Sequence, residues 1–355
     1  MKKTLIIANI LFSIFGFSQQ EVQVSQYMLN PYLINPAEVA IADYFETNLS
    51  YRAQWVGMEG NPETMILTSQ TTVGKPRWGR THPGDWHGWH GIGGTVIKDK
   101  IGAYSNTKVQ ASYAYNVKLT QGAKYGYNHK DGLRFSLGIS GGWNQYKTDK
   151  EILGKTKNSS FGNRSNIATL TDPTYARLAK NTAGALDMTI GGMLYFSETY
   201  YLGFSSSQIF QSKVKMTEAS TLARHYFLTG KIKMKVNGRL FIIPSFLLKA
   251  VSGAPLSIDL GTRFDWDDKY YLGVAYRHQD AVTAMVGYRL KIGEKVKHFR
   301  IDKHRYIFRF YYSYDLTISR LANKNLVNKS NGSHEVTVSF LLPPMYHERN
   351  AEDTW

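Results

Sequence analysis

Three groups of residues in this 355-residue chain have the types and spacing to do chemistry. Gly138-Ile139-Ser140-Gly141-Gly142 spells the G-x-S-x-G of a nucleophile elbow, which would present Ser140 for acyl transfer if it sat on a sharp strand-to-helix turn. The residues around it alternate as a strand does, so its glycines more simply relieve crowding in a wall. His82, Asp85, His87 and His90 crowd into THPGDWHGWH, and imidazole with carboxylate suits a transition metal. Nothing in the spacing fixes a coordination geometry, and a Trp, His and Gly loop at a membrane interface explains the same residues. The third group is basic: Lys231, Lys233 and Lys235 alternate with Ile232, Met234 and Val236, Arg289 and Lys291 with Leu290 and Ile292, and Arg305 and Arg309 stand on the opposite parity from Phe308 and Phe310. Lys108 and Lys118 lie on the wet side of a further alternating run. A charge held against lipid near the midplane costs roughly 2 to 4 kcal/mol, so these cations must line an interior or sit at a rim. The expectation is a basic lumen receiving an anionic segment, with no catalytic, cofactor or metal site and no enzymatic activity.

The elements that must position these groups are strands. From Phe45 to Trp55, residues Phe45, Thr47, Leu49, Tyr51, Ala53 and Trp55 share one side while Glu46, Asn48, Ser50, Arg52 and Gln54 share the other. Further runs are Met65 to Val73, Ile92 to Ile97, Val109 to Leu119, Leu133 to Trp143, Leu186 to Phe196, Tyr200 to Phe210 and Leu222 to Val236. Leu240 to Ala250, Leu256 to Phe264, Tyr270 to Tyr276, Val282 to Ile292, Tyr306 to Ile318 and Glu335 to Leu342 complete the set. The total is about fourteen, an even number, which an antiparallel transmembrane β-barrel requires. Such a barrel hides its membrane surface in alternation, so the lack of any long apolar run is no argument against it. A β-sandwich would alternate too. Six large apolar residues at one parity from Phe308 to Ile318 are more than a strand of usual length needs. Trp55, Trp143, Tyr200, Tyr201, Trp266, Tyr270, Tyr311 and Tyr312 stand near strand ends, where interfacial girdles form.

The ends are of a different kind. Two lysines, an apolar run from Leu5 to Phe15 and the small residues Gly16 and Ser18 read as a secretory signal, residues 1–18. A leader over 19–43 carries Asn30-Pro31 and Asn35-Pro36, and its prolines forbid regular helix. The barrel spans 44–342, and Pro343-Pro344 stop strand pairing ahead of a tail over 343–355. With 24 Tyr, 17 Phe, 31 Gly and no Cys, the composition suits an exported strand-rich protein without disulfides. The formal charge of +16 carries no nucleic-acid motif with it. In an exported chain the natural counter-charges are acidic polypeptide, lipopolysaccharide phosphate or peptidoglycan carboxylate.

Several stretches together resemble the PorP/SprF proteins of bacteria with type IX secretion. SQYMLNPYLINPA followed by YRAQWVGMEGNPET is similar to that family's opening SQYMFNPLLINPAYAG and YRKQWVGIEGAPTT. GIGGTVIKDKIGAYSNT resembles its Gly-rich strand and DKIG turn, with Lys98 in place of the usual Asn. YSYDLTISRL and GSHEVTVSF are similar to its closing YSYDISVSKL and GSHEISLSY. The motif positions are Gln26, Tyr27, Asn30, Pro31, Asn35 and Pro36 in the leader, then Tyr51, Arg52, Gln54, Trp55, Gly57 and Gly60. Asp99, Lys100, Ile101 and Gly102, with Gly332, Ser333, His334 and Glu335, complete them. Two departures are Glu38-Val39 within INPAYAG and the polar tail beyond the last strand.

The resemblance implies an outer-membrane barrel of the type IX secretion and gliding-motility system. It would export or anchor a large adhesin with a type-B C-terminal domain, alongside periplasmic-ring or peptidoglycan-linked components. A passive porin is the alternative, and it needs an open lumen. The leader either guides machinery at the periplasmic mouth or plugs the pore from inside.

Overall fold

A computed structural model describes residues 21–41, 44–74, 88–120, 132–149, 182–197, 199–214, 220–293, 306–319 and 329–342. Fourteen strands run in chain order: β1 Phe45–Ala53, β2 Glu63–Val73, β3 Trp89–Ile101, β4 Tyr104–Lys118, β5 Leu133–Thr148, β6 Thr182–Phe196 and β7 Tyr200–Ser207. They continue with β8 His225–Ile232, which resumes at Met234–Lys235, and β9 Leu240–Val251, β10 Ser257–Trp266, β11 Tyr270–Arg277, β12 Ala281–Ile292, β13 Tyr306–Thr317 and β14 Ser333–Leu342. Each strand pairs antiparallel with its sequence neighbours, and β1 pairs with β14, Phe45 opposite Leu342 and Ala53 opposite His334. The sheet therefore closes without an edge, as a lipid-exposed sheet must. A two-stranded hairpin, Lys213–Val214 with Ser220–Thr221, decorates the connection from β7 to β8. Among the described residues no helix is long and apolar enough to cross a membrane.

The wall is inside out relative to a water-soluble protein. Arg52, Glu335, Asn48 and Asn116 are fully buried, whereas Leu137, Leu186 and Leu272 are about 60% exposed, at 60%, 60% and 58%. Alternation does this: one parity of every strand faces outward and is apolar, the other faces inward and is polar. Apolar side chains in that outward band would be a liability in water and are at rest in hydrocarbon.

Strand bounds depart from the hydropathy runs where the apolar signal ends before the ladder does. β3 extends from the expected Ile92–Ile97 to Trp89–Ile101, and β5 runs on from Trp143 to Thr148, because polar residues there keep the same hydrogen bonds above the apolar band. β7 stops at Ser207 instead of Phe210, and β8 begins at His225 and is interrupted at Lys233. Two expected girdle rings, Tyr201 and Tyr311, instead face inward. Tyr201 stacks on Tyr195, and Tyr311 meets the edge of Tyr271, since both share parity with the polar side of their strands.

The rim where β1 begins and β14 ends carries the short turns 197–199, 236–239 and 267–269. The opposite, far rim carries the longest connection, between Thr148 and Thr182, along with the short turns 102–103 and 278–280. Long loops face outward from the cell and short turns face the periplasm, so the far rim is the extracellular one. Three longer connections, 74–88, 119–132 and 293–305, also fall at the terminal rim. The expected signal 1–18 and tail 343–355 lie outside the described residues.

Candidate functional site: a threaded lumen

The segment 21–41, a strap, runs through the barrel from Gln23 beside Asp280 at the far rim to Ala40 beside Trp89 at the terminal rim. Two short 3₁₀ turns, Pro31–Leu33 and Pro36–Ala40, each begin at a proline whose missing amide hydrogen costs nothing at a helix start. Asn35 caps the second by accepting from the Ala37 amide at 3.0 Å. The segment therefore descends in bent turns, leaving many backbone groups for the wall to satisfy.

At the far rim, Gln23 donates to Asp280 at 3.2 Å and accepts from Gln54 at 3.2 Å, and Arg277 donates to the Val24 carbonyl at 3.3 Å. Just below, Arg52 on β1 forms ion pairs with Asp315 on β13, at 2.8 Å, and Glu335 on β14, at 3.1 Å. The Ser25 amide donates to Glu335 at 2.8 Å, while its hydroxyl accepts from Arg52 and donates to Asp315. All four residues are buried. Buried charges are tolerable when each is paired and hydrogen-bonded, and here one serine of the strap completes the set.

Lower down the contacts visit the whole circumference. Gln26 donates to Ser313 and to the Glu335 carbonyl, Asn30 to Thr68 at 2.9 Å, and Tyr32 to Ser112 at 2.7 Å. Ser205 donates to the Ile34 carbonyl, Asn35 to the Gly192 carbonyl, and Ser136 to the Ala37 carbonyl. Trp89, at the terminal rim, donates its indole N–H to Ala40. Close approach needs missing side chains: a Cβ at Gly138 would overlap the Ala37 amide, and one at Gly91 would overlap Val39 and Ala40.

The cations expected to make the lumen basic are mostly inside, but they are matched by acids. Lys108 pairs with Asp187 at 2.7 Å and with Glu21 of the strap at 3.3 Å, and Lys231 pairs with Glu38 of the strap at 3.5 Å. Arg309 pairs with Glu46 at 3.2 Å, and Arg289 and Lys291 share Asp268. Lys118 shares the inward parity of buried Asn116 and stands directly opposite Arg134 in the β4–β5 register. Lys233 and Lys235 are exposed at the terminal rim, Lys233 lying 4.9 Å from the Phe241 ring centroid. Arg305 lies outside the described residues. Much of the interior charge is therefore paired, and two of the anions, Glu21 and Glu38, come from the chain's own leader.

The motif positions sort into three structural groups. Gln26, Asn30, Asn35, Arg52, Gln54 and Glu335 tie strap to wall, while Tyr27 reaches Ser245 at 3.3 Å and Pro31 and Pro36 start the turns. Gly57, Gly60, Gly102 and Gly332, all with positive φ, form the far-rim corner, where Val56 donates to the Gly332 carbonyl and Gly102 to that of Gly60. Ser333 accepts there from the Trp55 amide. Asp99 accepts from Thr64 inside, Ile101 is exposed at the far-rim end of β3, and Tyr51, Lys100 and His334 are on the outside, His334 within 2.8 Å of the Tyr312 hydroxyl. Asp315, Asp187 and Asp280 were not distinguishable in the sequence; YSYDL contains Asp315, but only its inward parity beside Glu335 marks it.

Ser140 lies inside β5, within 2.6 Å of the Ser112 hydroxyl, and no turn follows it, so the elbow geometry is not formed there. Among the metal candidates, His82, Asp85 and His87 lie outside the described residues, while His90 is on the outer surface against Tyr113.

A family model described as "Type IX secretion system membrane protein PorP/SprF" matches residues 16–340. No curated protein matches the sequence. Solved structures to which the chain is similar match at low identity. The Pseudomonas putida toluene transporter TodX is 11% identical over 88% of this chain and 93% of its own, with a TM-score of 0.43. A Pseudomonas aeruginosa FadL homologue is 10% identical over 87% and 92%, with a TM-score of 0.47. The Ralstonia pickettii toluene transporter TbuX is 10% identical over 90% and 93%, with a TM-score of 0.45. With its closed fourteen-stranded wall and a family match over nearly its full length, this chain belongs to the PorP/SprF family of type IX secretion system membrane proteins of the bacterial outer membrane.

Proposed function

We propose that the barrel exports or anchors a large surface adhesin with a type-B C-terminal domain in the type IX secretion and gliding-motility system, and that it does so without catalysis. Its partners are that cargo and the periplasmic-ring or peptidoglycan-linked components of the machinery. The observation that carries this reading over a passive porin is the strap. A solute channel needs an open lumen, whereas here the inward polar groups of β1, β2, β4 to β7, β13 and β14 are engaged by residues 21–41. A lumen occupied by its own leader suits a protein that opens, or is held, only together with a partner.

Planar-bilayer recording tests the proposal together with surface display in the native host. The intact protein is expected to stay silent, and deletion of residues 21–40 to give a large stable conductance. Loss of the gene should remove an adhesin from the cell surface. A large stable pore formed by the intact protein alone would overturn the reading in favour of the porin.

A further inference from the structure

On one side the wall is taller. Strands β3 to β6 rise past the outward apolar band at the far rim, and the outward residues there change from Val96, Val109 and Trp143 to a polar ledge. Register defines the ledge: Lys98 stands level with Thr107 and Gln145, and Lys100 level with Ser105 and Lys147. Lys98 and Lys100 are about 7 Å apart along the strand, and Lys147 lies two strand spacings from Lys100, about 10 Å. All three are exposed, and none makes an ion pair among the described residues, although Glu63 sits opposite Lys100 in the β2–β3 register. Inside the barrel Arg52, Lys108, Lys231, Lys249, Arg263, Arg277 and Arg309 each pair with a carboxylate, whereas these three lysines gather on one outer face without one.

Directly below the ledge, the outer face is furrowed. Ala111 and Gly141 are paired neighbours with outward parity, and space beyond Gly141 is open. Tyr113, Ile139, Leu186 and Phe210 wall a cavity of about 350 Å³ around them. Gly141 is four residues from Gln145, which places the furrow about 14 Å below the level of Lys98. A cationic ledge at the extracellular interface above an apolar furrow at hydrocarbon depth matches an amphiphile with an anionic head and acyl chains.

We propose that the outward face of β3 to β6 binds a phosphorylated glycolipid of the outer leaflet, its phosphate groups on Lys98, Lys100 and Lys147 and an acyl chain in the Ala111–Gly141 furrow. Ammonium to phosphate bonds are charge-assisted, and long lysine stems reach up to a headgroup while lying along apolar surface. The site does not depend on what the lumen carries.

The test uses the full-length protein in detergent, with native mass spectrometry and titration against bis-phosphorylated lipid A, its dephosphorylated form, phosphatidylethanolamine and inorganic phosphate. Phosphorylated lipid A is expected to bind best, with Lys98→Gln, Lys100→Gln and Lys147→Gln each weakening it about fivefold, and the triple variant about a hundredfold. Gly141→Leu should weaken the acylated lipid while leaving the dependence on phosphate intact. Heat-modifiable gel mobility confirms that each variant is a folded barrel. Equal binding by the triple variant, no preference over the dephosphorylated lipid, or displacement by inorganic phosphate alone would overturn the lipid site, and unchanged binding by Gly141→Leu would overturn the furrow.

Discussion

Arg52 is the residue on which strap and wall converge. Its guanidinium bridges Asp315 and Glu335, which themselves hold Ser25, so three strands and the leader share one buried charge cluster. Removing one partner from such a cluster leaves the others unpaired, and the cost is about 3 to 5 kcal/mol. Arg52→Leu is therefore expected to destabilise the barrel by about that amount in urea unfolding from detergent. Adding Asp315→Asn and Glu335→Gln should recover most of the loss, because neutral amides need no counter-charge. A loss of under about 1 kcal/mol in the single variant would mean the cluster is solvated. The YRAQW and GSHE stretches showed Arg52 on a wet face and Glu335 near the chain's end. That the two stand opposite one another was not legible, because strand pairing between β1 and β14 joins residues 283 positions apart.

At the scale of elements, the strap and β5 illustrate how a wall accommodates a plug. Gly138 and Gly141 stand three residues apart on β5 and face opposite ways: Gly138 meets the Ala37 backbone, and Gly141 meets open space on the outer face. A leucine at Gly138 must push the strap away, whereas a leucine at Gly141 adds apolar surface to the lipid side. Gly138→Leu is expected to cost about 1 to 3 kcal/mol by overpacking and to raise bilayer conductance above the silent parent; Gly141→Leu should do neither. Thermal unfolding with bilayer recording checks both, and equal behaviour of the two would show that the strap does not seal the lumen. The pentapeptide containing them reads in the sequence as a serine-hydrolase elbow. Strand alternation on either side was sufficient to favour a wall, but which glycine met the strap was not visible, since a missing side chain leaves no mark of what it accommodates.

The whole molecule has a direction. The strap enters beside Asp280, Arg277 and Arg52 at the far rim and leaves beside Trp89 at the terminal rim, so its first described residues stand at the extracellular mouth. The chain has no cysteine, which makes a single introduced thiol a clean reporter. With Gln23→Cys, a membrane-impermeant maleimide is expected to label intact cells; with Asn237→Cys, in a terminal-rim turn, labelling should require a permeabilised outer membrane. The reverse pattern would invert the barrel and move the lysine ledge to the periplasmic leaflet. By itself the sequence determined what is local: a period of two that marks inward and outward faces, strand number, and prolines that keep the leader from coiling into a regular helix. The motifs added the family. Tertiary structure decided that the leader runs inside the barrel, which interior cations meet acids, and that Lys98, Lys100 and Lys147 gather on one outer face. Those outcomes depend on which residues meet across a closed sheet, and closure is a property of all fourteen strands together that no single stretch encodes.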